Sequence, residues 1–276
     1  MTSPQRVIGL IGGLSWESSA EYYRVINQTV HARLGGVHSA RVLMWSFDFG
    51  EIEALQHAGR WNEAAALLVD AARRLERGGA DFVLLCTNTM HRMAEEVRAA
   101  IGVPLLHIAD PTAERIRAAG LRRVGLLGTR FTMEQAFYTG RLADRHGLDV
   151  LVPGDADRAV VHRVIYDELV QGRVEPASRE AYRGVIARLV QAVVAEGFVN
   201  RLGFGIVTFA LPLYALELGM SITEIGLLIG PEDCPVPVFD TTTLHAEAAV
   251  EWALSPHPSR CAVQAVPRPF TMEHTP

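Results

Sequence analysis

Short apolar runs alternate along this chain with longer amphipathic stretches. RVIGLIGG (6–13) precedes a helical pattern from Ser15 to about Leu34, and ARVLMWSFDF (40–49) precedes another from about Asn62 to Glu76. Asp81–Cys86, Val103–Ile108, Arg123–Gly128 and Asp149–Val152 continue the series as strands, separated by helices that mostly close at glycine. Near-continuous apolar strands joined by crossover helices predict an α/β fold with parallel sheets covered on both faces, whose ligands sit beyond the strand C-termini. The series falls into two halves joined near residues 110–120, within ADPTAERIRAAGLRR.

Composition narrows the function. The 276 residues suffice for one large or two ordinary domains, and a formal charge of -5 offers no basic surface for a nucleic-acid partner. All 26 basic residues are arginine. Without lysine the chain can form neither the usual pyridoxal-phosphate Schiff base nor a P-loop, so any amino-acid chemistry must proceed otherwise. Three cysteines without CxxC spacing, Cys86, Cys234 and Cys261, argue against a disulfide scaffold or a thiolate zinc site and fit a cytoplasmic setting. The N-terminal apolar run breaks at glycines and is too short for a secretory signal, so it is read as the first strand. From Ser255 onward the chain is proline-rich without periodicity and is expected to be a loose tail.

The candidate chemistry lies in FVLLCTNTMH (82–91). Cys86 is placed at a strand-to-helix turn, where free N–H groups and a helix dipole favour thiolate, and Thr87, Asn88 and Thr89 beside it have the chemistry to hold a carboxylate. The plain alternative is a buried structural cysteine. GLIGGLSWES (9–18) is a glycine turn that suits either a carboxylate or no ligand at all, and it is not a GxGxxG nucleotide signature. LLGTRFTM repeats its logic in the second half with Thr129 and Thr132, which serve as readily for helix capping.

Taken in order, GLIGGLSWES, SFDF, CTNTMH, GTRFTMEQAFY, IYDEL and PVPVFDTTTLHAEAAVEWAL resemble the aspartate/glutamate racemase family over most of residues 6–254. The resemblance implies two similar parallel-sheet α/β domains with the active site in the cleft between them. They divide the chain at 1–115, with 240–254 packing back on it, and 116–239. It also implies a homodimer, a small amino-acid substrate and no cofactor. Two cysteines on opposite faces of the substrate α-carbon would exchange its proton, Cys86 matching the first. Thr87, Asn88 and Thr89 would hold the substrate from one domain, Thr129 and Thr132 from the other, with Ser15 near the first glycine turn.

One motif departs from that pattern. Where the family's second cysteine belongs in G-C-T-E-I, the chain reads SITEI, so Ile222 stands at the thiol position before Thr223 and Glu224, which the resemblance places as substrate-binding groups. Cys234 is assigned a structural role and His245 a satisfied ring at a helix start. The segment before Ile222 is longer than a strand needs, and VNRLGFGIVTFALPLYALELGMSITEIGLLIG resembles the first membrane helix of a major facilitator transporter and its following loop. Its uncharged run, Leu202–Leu216, is shorter than the about 20 residues of a comfortable span, so the segment 198–222 is read as a chimeric insert, not a membrane anchor. The sequence thus favours a cofactor-independent racemase with an altered second half-site. A related cysteine-dependent isomerase or decarboxylase and a non-catalytic carboxylate-binding protein are its rivals.

Overall fold

A computed structural model describes residues 5–201, 218–222 and 237–255, with side chains described for 5–192 and 237–255. Thr223, Glu224, Cys234, Cys261, the apolar run 202–216 and the tail beyond Ser255 lie outside the described residues. No helix among the described residues is long and apolar enough to cross a membrane.

Two parallel four-stranded sheets carry the chain. The first contains β1 (Ile8–Gly12), β2 (Val42–Ser46), β3 (Phe82–Leu85) and β4 (Leu105–Leu106) in the order β2-β1-β3-β4. The second contains β5 (Arg123–Leu127), β6 (Asp149–Leu151), β7 (Leu218–Ile222) and β8 (Val238–Asp240) in the order β6-β5-β7-β8. The two orders are the same, so each half places its third strand beside its first and its strand C-termini along one edge.

Side chains alternate across the first sheet. Val83 and Leu85 pack with Ile11 against α3 (Trp61–Arg77) and α4 (Ala94–Ala100). Phe82, Leu84 and Cys86 pack with Leu10 against α1 (Trp16–Leu34) and α10 (Thr241–Leu254), through Tyr22, Ile26, Ala246 and Val250. Each fully buried aliphatic or phenylalanine side chain in these layers contributes about 1.5–3 kcal/mol. On the second sheet, Leu127 packs with α8 (Asp155–Asp167) and α9 (Pro176–Arg201), whereas Val124 and Leu126 pack with α5 (Ala109–Ala118) through Ala113 and Ile116. The halves are interleaved: α5 leaves the first sheet to cover the second, and α10 leaves the second to cover the first.

Two expected strands are shorter than their apolar runs. ARVLMWSFDF is strand only to Ser46, because the Asp48 side chain accepts from the Gly50 N–H at 3.0 Å and opens α2 (Phe49–His57). Val103–Ile108 contributes only Leu105–Leu106; Pro104 lacks an N–H, and the N–H groups of Ile108 and Ala109 go to imidazoles instead of a neighbouring strand. Between β5 and β6 lie α6 (Arg130–Glu134) and α7 (Ala136–Gly140).

Candidate active site

The Cys86 turn follows directly from β3. Its N–H donates to the Ile11 carbonyl at 2.9 Å, which continues the sheet by one residue and sets Cys86 level with Gly12, the last residue of β1. In the second sheet Ile222 pairs with Leu127, the last residue of β5. Cys86 and Ile222 therefore both stand at the C-terminal end of the third strand of their half, within one residue of the same height.

The glycine turn beside Cys86 has a steric cause. Gly13 has φ +73°, and a Cβ there would stand 2.2 Å from the Phe47 carbonyl oxygen, so SFDF and the glycines fit only as a pair. Ser15 is held at φ 135°, the one non-glycine with positive φ among the described residues, a conformation costing about 1–3 kcal/mol. Its Oγ caps α1 by accepting from the Ser18 N–H at 3.3 Å, and its side-chain partners all lie within this first turn.

The structure brings Thr89, Thr129 and Thr132 together. The Thr89 and Thr129 hydroxyls are 2.9 Å apart across the two halves, and Thr129 is 3.1 Å from Thr132 while capping α6. Thr87 and Asn88 share the Cys86 turn; Asn88 Nδ2 lies 3.5 Å from Thr241 Oγ1, and its buried Oδ1 has no hydrogen-bond partner. Around this point the halves are joined by rings, Trp61 against Phe131 at 5.2 Å and His57 against Tyr166 at 5.8 Å, and within the second half Phe131, His162 and Tyr166 pack in turn at 6.0 and 4.7 Å. Arg92 stacks over Trp61 at 4.5 Å and hydrogen-bonds Gln135, while the Tyr166 hydroxyl donates to Gln56 Oε1 at 2.9 Å.

The electrostatics correct one expectation. Cys86 is fully buried, and burial pushes its thiol far above the usual thiol range. The residues after it form a short 3-10 turn (Thr89–Met93), and α4 starts only at Ala94, so no α-helix N-terminus abuts the thiol. Burial thus favours the neutral thiol over the thiolate.

Of the polar groups behind the turn the sequence reading named His245 but missed His91 and His107. His91, His107 and His245 are buried together, their rings 4.5 Å (His91–His107) and 5.8 Å (His91–His245) apart. His245 has the satisfied ring expected of it, with Nδ1 2.7 Å from the Tyr22 hydroxyl and Nε2 3.1 Å from the Leu106 carbonyl. Burial, with the neighbouring His245, lowers the His91 pKa to about 3, and burial lowers that of His245 to about 4. Burial alone would raise Asp110, but hydrogen bonds from Arg141 (2.7 Å from each carboxylate oxygen) and His146 hold it at about 2. The one sequence signal was His91 itself, five positions beyond the thiol.

The sequence profile of Asp/Glu/hydantoin racemases matches residues 11–199. The chain belongs to this family. A candidate Asp/Glu racemase from Yersinia pestis has a solved structure similar to this one, with TM-score 0.76 and 48% identity, covering 91% of this chain and 100% of its own. An aspartate racemase homologue from Pyrococcus horikoshii OT3 is similar at TM-score 0.71 and 29% identity, over 90% of this chain and 99% of its own. Among curated proteins, the broad specificity amino-acid racemase RacX of Bacillus subtilis (strain 168) is 28% identical over 137 residues, or 48% of this chain. The match spans only 58% of RacX, little more than half its length. Within this racemase family the strongly matched region contains the Cys86 and Thr129 turns, whereas Ile222 lies beyond it.

Proposed function

We propose that this chain is a cofactor-independent amino-acid racemase of the aspartate/glutamate type in which Cys86 exchanges the substrate α-proton. The division near residue 115, with 240–254 returning to the first domain, and assembly as a homodimer belong to the same reading. One observation carries it: the only cysteine with described surroundings ends the strand beside the glycine turn, within the loop whose Thr89 hydroxyl meets Thr129 of the other half. Such a pair of hydroxyls suits a carboxylate, whose two oxygens would accept one hydrogen bond from each hydroxyl in place of the hydroxyl–hydroxyl bond. The unpartnered Asn88 Oδ1 suits an ammonium group.

An α-amino acid arriving as a zwitterion also addresses the buried thiol. Its ammonium charge beside Cys86 lowers the cost of the thiolate, so the base forms when the substrate is bound. Thiolate sulfur then takes the α-proton, the carboxylate-binding hydroxyls and amide groups stabilise the carbanion, and Cys86 returns a proton to the same face. Inversion needs a donor on the opposite face, and Ile222 has no acidic proton to give. Thr223 and Glu224 remain candidate substrate groups next to it.

The test is NMR of L- and D-aspartate and L- and D-glutamate in D2O with the purified protein, with Cys86→Ser as control. Deuterium entry with inversion, lost in the control, is expected of a racemase with a surviving second acid; entry with retention is expected of a one-sided site. Absence of exchange in all four sinks the reading. The thiol at the end of β3 and the isoleucine at the end of its counterpart β7 favour a second reading, a one-thiol isomerase or decarboxylase that protonates one face. Release of carbon dioxide from a substituted malonate, dependent on Cys86, would decide for it, and substrate binding without turnover would leave a carboxylate-binding protein.

A further inference from the structure

Behind the Cys86 turn, His91 touches two backbone groups of opposite kind. Its Nδ1 lies 2.6 Å from the Thr87 carbonyl oxygen, and its Nε2 accepts the Ile108 N–H at 3.2 Å. A carbonyl only accepts and an amide N–H only donates, so the proton sits on Nδ1 and Nε2 is bare. The ring is 2% exposed. His107 lies against it from the β4–α5 connection and His245 from α10, with Asp110 of α5 and Arg141 after α7 as the other charged groups acting on it. The same connection is tied twice more, by the Ala109 N–H to His107 Nδ1 at 3.2 Å and by His245 Nε2 to the Leu106 carbonyl. His91 thus joins a rigid buried junction to the peptide between Thr87 and Asn88. That peptide is planar and trans, so holding its C=O toward the imidazole aims the Asn88 N–H to the opposite side.

The geometry points to His91 as a positioning residue, a neutral imidazole locked as the Nδ1–H tautomer that fixes the Thr87–Asn88 peptide and with it the carboxylate-binding geometry beside Cys86. The inference rests on the racemase reading for its catalytic consequence but not for its tautomer. Misplacing such a group by about 1 Å costs on the order of 10²-fold in rate.

Two measurements test it. Long-range ¹H–¹⁵N NMR of the full chain with labelled histidine is expected to show His91 with a protonated Nδ1 and a bare Nε2, unchanged from pH 8 down to pH 5. A protonated Nε2, or titration within that range, overturns the assignment whether or not the protein is a racemase. For α-proton exchange, His91→Leu is expected to lower kcat by about 30–100-fold with KM little changed, whereas His91→Asn, which keeps a donor for the Thr87 carbonyl, stays within about 5-fold of the parent. Equal losses in the two variants, both folded by circular dichroism, overturn the positioning role. If the parent exchanges none of the four amino acids, the racemase reading falls alone and the tautomer still stands or falls on the spectrum.

Discussion

The two halves share a strand order and differ in what stands at the end of their third strands. Beyond β3 stands a thiol, flanked by Thr87, Asn88 and Thr89 and backed by buried histidines; at the end of β7 stands Ile222, whose side chain has neither proton to give nor charge to hold. A repeated scaffold can therefore keep its strand order with a thiol at one strand end and an aliphatic side chain at the other. Hydrogen-bonded strand order depends on backbone pairing and apolar layers, which an isoleucine satisfies as well as a cysteine. Proton transfer depends on one sulfur atom, for which an isoleucine offers no substitute.

The strongest way to break this comparison is to empty the first half. Cys86→Ser is expected to lower α-proton exchange by about 10²–10⁴-fold, read as deuterium incorporation, and a small loss would mean that the reacting group lies elsewhere. Next comes the hydroxyl pair: Thr89→Val and Thr129→Val are each expected to reduce kcat/KM by about 10–100-fold, since each removes a donor from the developing carbanion. A loss confined to one of them would assign carboxylate binding to a single half. Refilling the second half sharpens the contrast. Ile222→Cys is expected to raise inversion relative to retention by about 10-fold or more in chiral chromatography of the products, and an unchanged ratio would show that a thiol at the end of β7 is insufficient.

Acid sensitivity probes the scaffold under the first half. His91 and His245 have folded pKa values of about 3 and 4 against an ordinary 6.5, so below pH 6.5 the unfolded chain takes up protons first. Stability present above pH 6.5 should fall by about 2 kcal/mol per histidine by pH 5, and urea midpoints at pH 8, 6.5 and 5 will show it. Asp110, held at about 2 against 3.8, adds a further loss between about pH 4 and pH 2. The smallest effect is expected from Tyr22→Phe, which leaves His245 Nδ1 without its hydroxyl partner and should cost about 1–2 kcal/mol, read as a lower urea midpoint at unchanged slope.

Much of this arrangement was legible in the residue order. Apolar runs ending in glycine or in Cys-Thr-Asn-Thr announce parallel strands with ligand groups at their ends, because the period of the pattern is set locally. Thr89 and the pair Thr129 and Thr132 could be named from the sequence as candidates in separate halves, but their meeting at 2.9 Å could not. The short β4 was not legible, since it depends on imidazoles 17 residues before Ile108 and within α10 taking up polar groups that a strand would use. Nor was the neutral state of Cys86: the sequence marks a turn, but how deeply α1 and α10 bury it depends on packing from both ends of the chain. Asp110, Arg141 and His146 show the same limit, being 31 and 36 positions apart and paired only by folding.

The Thr89–Thr129 contact has one further consequence. On the racemase reading each of these hydroxyls donates to one acceptor, and a carboxylate, with two oxygens on one carbon, answers both at once where an alcohol answers only one. Carboxylates are then expected to bind more tightly than the matching alcohols, a preference set before any side-chain pocket is consulted.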